Sequence, residues 1–230
     1  MIEFAAVDYR IRTAKGETRI LVDMTGALPR GRYVLLTEDP QSRIALVDLF
    51  CGLKQPQVGR IVHHGRVSWP IGRLTHFRSG LDGYSTVEFF ADIHALDRRR
   101  TLDFVREFCD LDGLLARRMT SWPGQASLRL GLGLALLPDF DIFVVDGSLL
   151  VGDPNFQRRW VEAFHERSRK GTVVMSTTQK AAIGMFCDYA LIADHGRLFI
   201  TEHVAEAIDL YPSRAATAEA PEPDDGDDID

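Results

Sequence analysis

Few residues of this chain have the type and spacing to do chemistry, and most of them carry a structural reading as well. Cys51, Cys109 and Cys187 are odd in number, widely spaced and without a Cys-x-x-Cys pair. That is the pattern of buried free thiols in a reducing cytosol, not of a disulfide frame. His63 and His64 are adjacent, which puts them on opposite faces of a strand, and no other histidine stands at ligand spacing, so no metal centre is predicted. Asp39-Pro40 and Asp153-Pro154 each place a capping carboxylate before a proline, an ordinary way to start a helix. Tyr9 falls in a half-buried strand. The Arg98-Arg99-Arg100 run is a solvated surface in a chain with 23 Arg and 4 Lys, or else a patch facing anionic lipid or a membrane partner.

The elements that must position these residues follow from apolar spacing. Residues 2–11, 19–24 and 31–37 read as strands, followed by a helix with Leu46, Leu49, Phe50 and Leu53 on one face. Two short strands are expected over 59–68, then helices over 85–96 and 100–109. Ile142–Val145 is a continuous apolar strand, followed by a helix with Phe156, Trp160, Val161 and Phe164 on one face. Strands over 172–176 and 189–194 alternate with helices over 179–187 and 203–211. Continuous apolar strands between amphipathic helices predict an α/β fold with a largely parallel sheet covered on both faces. Leu128, Leu130, Leu132, Leu134 and Leu136 alternate strictly, which by periodicity alone is a strand.

Composition narrows the function classes. The net charge of −6 over 230 residues is concentrated at one end, because residues 215–230 hold seven acids and no Lys or Arg. The rest of the chain balances 27 basic against 26 acidic residues, which excludes a broadly basic nucleic-acid binder. The tail has too few apolar residues to offset the entropy of ordering and is predicted to be disordered. No basic segment followed by an apolar stretch opens the chain, so no secretory signal is predicted. The longest apolar run, near 130–137, is far shorter than the ~20 residues of a membrane span.

Several stretches together carry a resemblance. Ser68-Trp69-Pro70-Ile71-Gly72, Asp139-Phe140-Asp141, Val151-Gly152-Asp153, Phe186-Cys187-Asp188 and Glu206-Ala207-Ile208-Asp209-Leu210-Tyr211 fall in a characteristic order and spacing. From about residue 2 to 212 the chain resembles the ATP-binding subunits of ABC transporters that export capsular polysaccharide and related surface glycans. The resemblance implies an ABC-type, P-loop-NTPase-like core over 1–214. It would have a mainly parallel sheet, a small antiparallel β region and a helical subdomain at about 80–130. It also implies that 124–137 is helix despite the alternation, and that ATP and Mg²⁺ are the family's ligands.

The catalytic motifs of that family are where this chain departs. A phosphate loop Gly-x-x-x-x-Gly-Lys-Ser/Thr wraps phosphates with backbone N–H groups and holds Mg²⁺ with its hydroxyl. The corresponding Thr37–Ala45 has no glycine, Arg43 at the lysine position and Ile44 at the hydroxyl position. Glu38 and Asp39 would stand beside the phosphates, and each such charge pair at ~4 Å and a dielectric of ~20 costs on the order of 4 kcal/mol. Asp146 matches the acid that supports Mg²⁺ and is equally a structural acid at a strand end. Gly147 replaces the glutamate that activates water, Thr177 the switch histidine, and Arg78 the glutamine near the attacking water. A glycine side chain cannot serve as a general base.

What remains is a vestigial nucleotide site of Tyr9 (the family's adenine-stacking position, or a packing residue), Arg43 and Asp146. A partner interface would be built from Gly124, Gln125, Gly152 and Asp153. The expectation is a non-hydrolysing ATP-binding-subunit homologue. It would act as a structural or regulatory subunit and pair with itself or with another ABC ATPase subunit beneath a membrane permease. Its place is the cytoplasm or the inner face of a bacterial inner membrane. Two other readings stand beside it: a soluble scaffold or regulatory pseudo-ATPase no longer tied to transport, and an active ATPase with an atypical site around Arg43 and Asp146.

Overall fold

The computed structural model describes residues 1–13, 16–73 and 80–211, and two sheets organise them. Strands β1 (Ile2–Thr13), β2 (Gly16–Leu28) and β4 (Val58–His63) form an antiparallel sheet in the order β2-β1-β4. Strands β3 (Arg32–Thr37), β5 (Ile142–Asp146), β6 (Thr172–Ser176), β7 (Tyr189–Asp194) and β8 (Arg197–Thr201) form the second, ordered β5-β6-β3-β7-β8. Its first four strands are parallel and β8 is antiparallel to β7. The buried β5 and β6 read as unbroken apolar runs because both faces of the sheet are covered, as expected. Sequence reading left β8 unassigned. His195 and Gly196, both at positive φ, make the two-residue turn that folds β8 back on β7.

The helices are α1 (Pro40–Phe50), α2 (Gly83–Ile93), α3 (Arg98–Cys109), α4 (Gly124–Leu134), α5 (Pro154–Ser168), α6 (Lys180–Phe186) and α7 (Val204–Leu210). α1 stops short of Leu53, which lies beyond Gly52 at φ +72 and is half exposed. Residues 64–68 are not the second short strand that was expected. The stretch from Arg66 to Ile71 instead runs along the free edge of β5. The Ser68 and Ile71 N–H groups donate to the Ile142 and Val144 carbonyls at 2.9 Å, and the Asp146 N–H donates to the Ile71 carbonyl at 2.7 Å. The Ser-Trp-Pro-Ile-Gly stretch thus covers a sheet edge.

Segment 124–134 is helical, as the resemblance implied, and Ala135–Leu137 lie beyond its end. The alternation has a packing cause. Leu130 and Leu134 join Val87, Val105 and Trp122 in one cluster, while Leu132 and Leu136 join Phe156, Trp160 and Phe164 in another. A helix buried on two opposite faces repeats leucine at nearly every second position, which imitates a strand. Gly133 lets α3 approach, since a Cβ there would lie 2.2 Å from Cys109 Sγ.

Candidate functional site

Thr37, Asp146 and Ser176 stand at the carboxyl ends of the neighbouring strands β3, β5 and β6, where open α/β sheets hold their ligands. α1 begins directly above this edge. Its N-terminus is occupied from within: Asp39 Oδ1 accepts from the Gln41 and Ser42 N–H groups at 2.9 Å each. The Thr37 hydroxyl donates to the Asp39 carbonyl at 2.8 Å and closes the connection. The helix start read from Asp39-Pro40 is therefore present, and its carboxylate takes the donors that an anion at a helix N-terminus would use.

Arg43 and Asp146 are brought together. The Arg43 Nη1 group donates to Asp146 Oδ1 and, at 2.9 Å, to the Ser176 hydroxyl. Asp146 and Ser176 are register partners across β5 and β6, so one guanidinium spans both strand ends. A second arginine reaches the same carboxylate from the other side. Arg73 Nε donates to Asp146 Oδ2 at 2.8 Å, and Arg73 Nη1 donates to Asp48 Oδ1 on α1 at 2.6 Å. Burial alone would lower the Arg73 pKa, and its bonds to Asp48 and Asp146 outweigh that and raise it. The four side chains are between 7% and 21% exposed, two acids against two bases.

Arg73 and Asp48 escaped sequence reasoning. Asp48 is a single acid on an otherwise apolar helical stretch, and Arg73 follows the Ser68–Gly72 motif with no spacing that announces a partner. The signal available was charge balance: a buried acid at the end of β5 requires a cation, and the stretch from Arg66 to Ile71 delivers one.

Gly147 has φ +124, and a Cβ there would lie 3.0 Å from the Gly72 carbonyl oxygen. Thr177 is buried, and its hydroxyl accepts from the Gln179 N–H at 3.2 Å. Gln179 Oε1 in turn accepts from Leu149 and Leu150 N–H at 2.8 and 3.1 Å, tying the loop after β5 to the loop after β6. Tyr9 is 5% exposed and packs in the core with Phe4, Leu21 and Leu46. A ring that stacks on a base must offer a free face, so of the two readings of Tyr9 the packing one fits. Burial, and after it the nearby Asp48 charge, raises its pKa. Arg78 lies outside the described residues.

The residues expected at a partner interface lie together. Gly124 opens α4, and Gln125 Oε1 accepts from the Gly152 N–H at 2.9 Å. Asp153 caps α5 by accepting from Asn155 and Phe156 N–H at 2.9 and 3.1 Å, which holds its carboxyl below the usual range. A polar cleft of about 90 Å³ borders α1, lined among others by Arg19, Glu38, Asp39, Ser42 and Asp194. Its charged lining sets three carboxylates against the Arg19 guanidinium and the His195 imidazole, a poor lining for phosphate. Among the described residues no group of three or more His, Cys, Asp or Glu could hold a metal ion. Among them, too, no helix is long and apolar enough to cross a membrane.

This architecture is that of an ATP-binding cassette. The dimeric post-hydrolysis ATP-binding cassette MJ0796, bound to ADP and Pi, superposes with a TM-score of 0.64 at 12% identity, covering 87% of this chain and 98% of that one. An ATP-binding subunit of an ABC transporter gives 0.65 at 19% identity, covering 94% and 95%. No family model matches the chain. Over almost its full length it is similar to ATP-binding proteins named for polysialic acid transport and capsule polysaccharide export. It is 26% identical over 215 residues to the polysialic acid transport ATP-binding protein KpsT of Escherichia coli, spanning 92% of this chain and 96% of the relative. To the capsule polysaccharide export ATP-binding protein CtrD of Neisseria meningitidis serogroup B it is 24% identical, spanning 93% and 99%. To the ATP-binding protein BexA of Haemophilus influenzae it is 23% identical, spanning 92% and 98%.

Proposed function

We propose that this chain is a non-hydrolysing homologue of the ATP-binding subunit of a polysaccharide exporter, acting as a structural or regulatory subunit. The observation that carries this is Asp146 held between Arg43 and Arg73. Each Asp146 oxygen already accepts from a guanidinium group, so its negative charge is met by cations of the chain itself, and an Arg43 turned to Asp146 and Ser176 is not turned to a phosphate. The residues present therefore do not fit a magnesium nucleotide in the family's pose. Gly147 supplies no base, and Asp39 occupies the α1 N-terminus.

The setting is a peripheral subunit at the inner face of a membrane, dimeric with itself or with a competent ATP-binding subunit, beneath a permease; relatives named for transport and export, and a dimeric solved cassette, support it. Gly124, Gln125, Gly152 and Asp153 are the surface proposed for that pairing. The test is a calorimetric titration with ATP, with and without Mg²⁺, beside a steady-state hydrolysis assay. No heat up to millimolar nucleotide and no hydrolysis are expected. Turnover at ordinary transporter rates, abolished by Asp146→Asn, would sink the proposal and favour an active ATPase with an atypical site.

A soluble regulatory protein detached from transport is the second reading, favoured by the change of Thr37–Ala45 from the phosphate-loop pattern that the resemblance implies. Purification from membranes separates the two. A permease and a second ATP-binding chain in the eluate support the exporter reading, and a soluble partner supports the other.

A further inference from the structure

Arg73 closes the stretch that begins at Arg66, hydrogen-bonded along β5. Midway along it Trp69 carries α2: its ring meets Phe90 at 5.5 Å and His94 at 5.6 Å, and Phe140 at 5.5 Å backs it from the approach to β5. Arg73 is bonded to Asp48 of α1 and to Asp146 of β5. α1 also supplies Arg43, five residues before Asp48 on the same helix. An unbroken line of contacts therefore runs from α1 through Asp48 and Arg73, along residues 66–73 to Trp69, and into α2.

We propose that the Asp48–Arg73–Asp146–Arg43 network is a built-in substitute for a ligand, coupling α1 to residues 66–73 and thereby to α2 in one fixed arrangement. The inference rests on the non-hydrolysing reading of the site and adds what its residues do instead. The charges balance within the network, and the Ser176 hydroxyl takes part as well, so no outside anion or cation is needed to neutralise it. Its role is registry. Buried ion pairs often stabilise no better than apolar residues of similar volume, whereas their geometry can fix one arrangement. Arg73 meets two separate carboxylates through different edges of its planar fork, and a lysine ammonium, as a point charge, does not hold both in that geometry.

Hydrogen–deuterium exchange on the whole chain tests this, read at peptides from α1, residues 66–73 and α2. Wild type, Arg73→Met and the charge-balanced double variant Asp48→Asn/Arg73→Met are compared without nucleotide, and wild type also with Mg-ATP. Arg73→Met leaves two acids facing one base, and exchange at all three regions is expected to rise about a hundredfold. The double variant keeps the Arg43–Asp146 pair and so decides the matter where Arg73→Met does not fold. There α1 is expected to stay protected while 66–73 and α2 exchange faster. Double-variant peptides of 66–73 and α2 that exchange as slowly as wild type would overturn the coupling, as would Mg-ATP slowing exchange of wild-type α2. ATP hydrolysis by wild type would defeat the functional reading, whereas the double variant is read without nucleotide and tests the coupling by itself.

Discussion

Gly147 and Gly72 approach so closely that a Cβ on Gly147 would lie 3.0 Å from the Gly72 carbonyl oxygen, and a Cβ on Gly72 would lie 3.2 Å from the Asp146 carbonyl oxygen. Both residues have positive φ, +124 and +94. The chain after β5 and the end of residues 66–73 are thus packed backbone to backbone, at the position where the resemblance would put a glutamate that activates water.

Gly147→Glu is therefore expected to cost stability without conferring hydrolysis. The φ of +124 is a region that L side chains rarely adopt, and such strain costs about 1–3 kcal/mol. Gly147→Ala should lose a similar amount, because the penalty belongs to the Cβ and not to the carboxylate. Urea unfolding of both variants, with a phosphate-release assay on Gly147→Glu, checks this. Restored turnover in Gly147→Glu would show that the missing base was the site's one deficit.

Asp146→Ala should be strongly destabilising, by about 3–5 kcal/mol, because it takes from Arg43 its carboxylate partner and leaves Arg73 with Asp48 alone. An acid whose purpose was to bind a cation would behave in the opposite way, since its removal relieves an unpaired charge. The urea midpoint of the variant, measured with and without Mg²⁺, separates the two, and no Mg²⁺ effect is expected in either protein.

Asp39 allows a cap and a charge to be told apart. Asp39→Ala removes the acceptor of two N–H groups and should cost about 1 kcal/mol. Asp39→Asn keeps the cap and removes the negative charge, so its stability should stay within about 0.5 kcal/mol of wild type. Pyrophosphate titration of Asp39→Asn then asks whether charge alone excludes phosphate. No binding is expected, because Arg43 remains committed to Asp146.

Much of the fold was legible because β3, β5 and β6 are buried on both faces and most helices have a single apolar stripe. What failed to show was set by contacts distant in sequence. β8 was missed because its exposed Phe199 and Ile200 follow no alternation and its pairing depends on the His195-Gly196 turn. The helix at 124–134 was legible by resemblance alone, since burial between two clusters erases the period by which a helix is recognised. At the site, the helix start at Asp39-Pro40 could be read from its capping carboxylate and proline. The network that fills the space could not, because Arg73 and Asp48 acquire meaning only once residues 66–73 lie against β5.

Gly133 offers a test of that helix. Gly→Ala in a helix interior ordinarily gains up to about 1 kcal/mol. Here the new Cβ would lie 2.2 Å from Cys109 Sγ, so Gly133→Ala should instead lose about 1–3 kcal/mol. Cys109→Ala in the same chain removes the sulfur and should recover most of the loss. A double-mutant cycle by urea unfolding reads the coupling, and independent effects would show that α3 and α4 do not meet as described.

Acidification supplies the last expectation. Burial holds His63 and His94 below their ordinary value of 6.5, with Arg66 adding to the effect at His94. His94 has aromatic rings on several sides, with Phe90 at 4.4 Å and Trp69 at 5.6 Å. Above pH 6.5 both histidines are neutral whether the chain is folded or not. As pH falls below 6.5 the unfolded chain takes up protons that the folded chain refuses, so the unfolded state gains and stability declines until the folded pKa is passed. Asp82, Asp92 and Asp153, held below 3.8 in the fold, act in a separate window: their contributions are full above 3.8 and are lost only at lower pH. Urea midpoints should therefore drop between pH 7.5 and 5.5 in wild type and drop less in His94→Phe, which keeps the ring contacts and removes the titration. An equal drop in both would place the acid sensitivity elsewhere in the molecule.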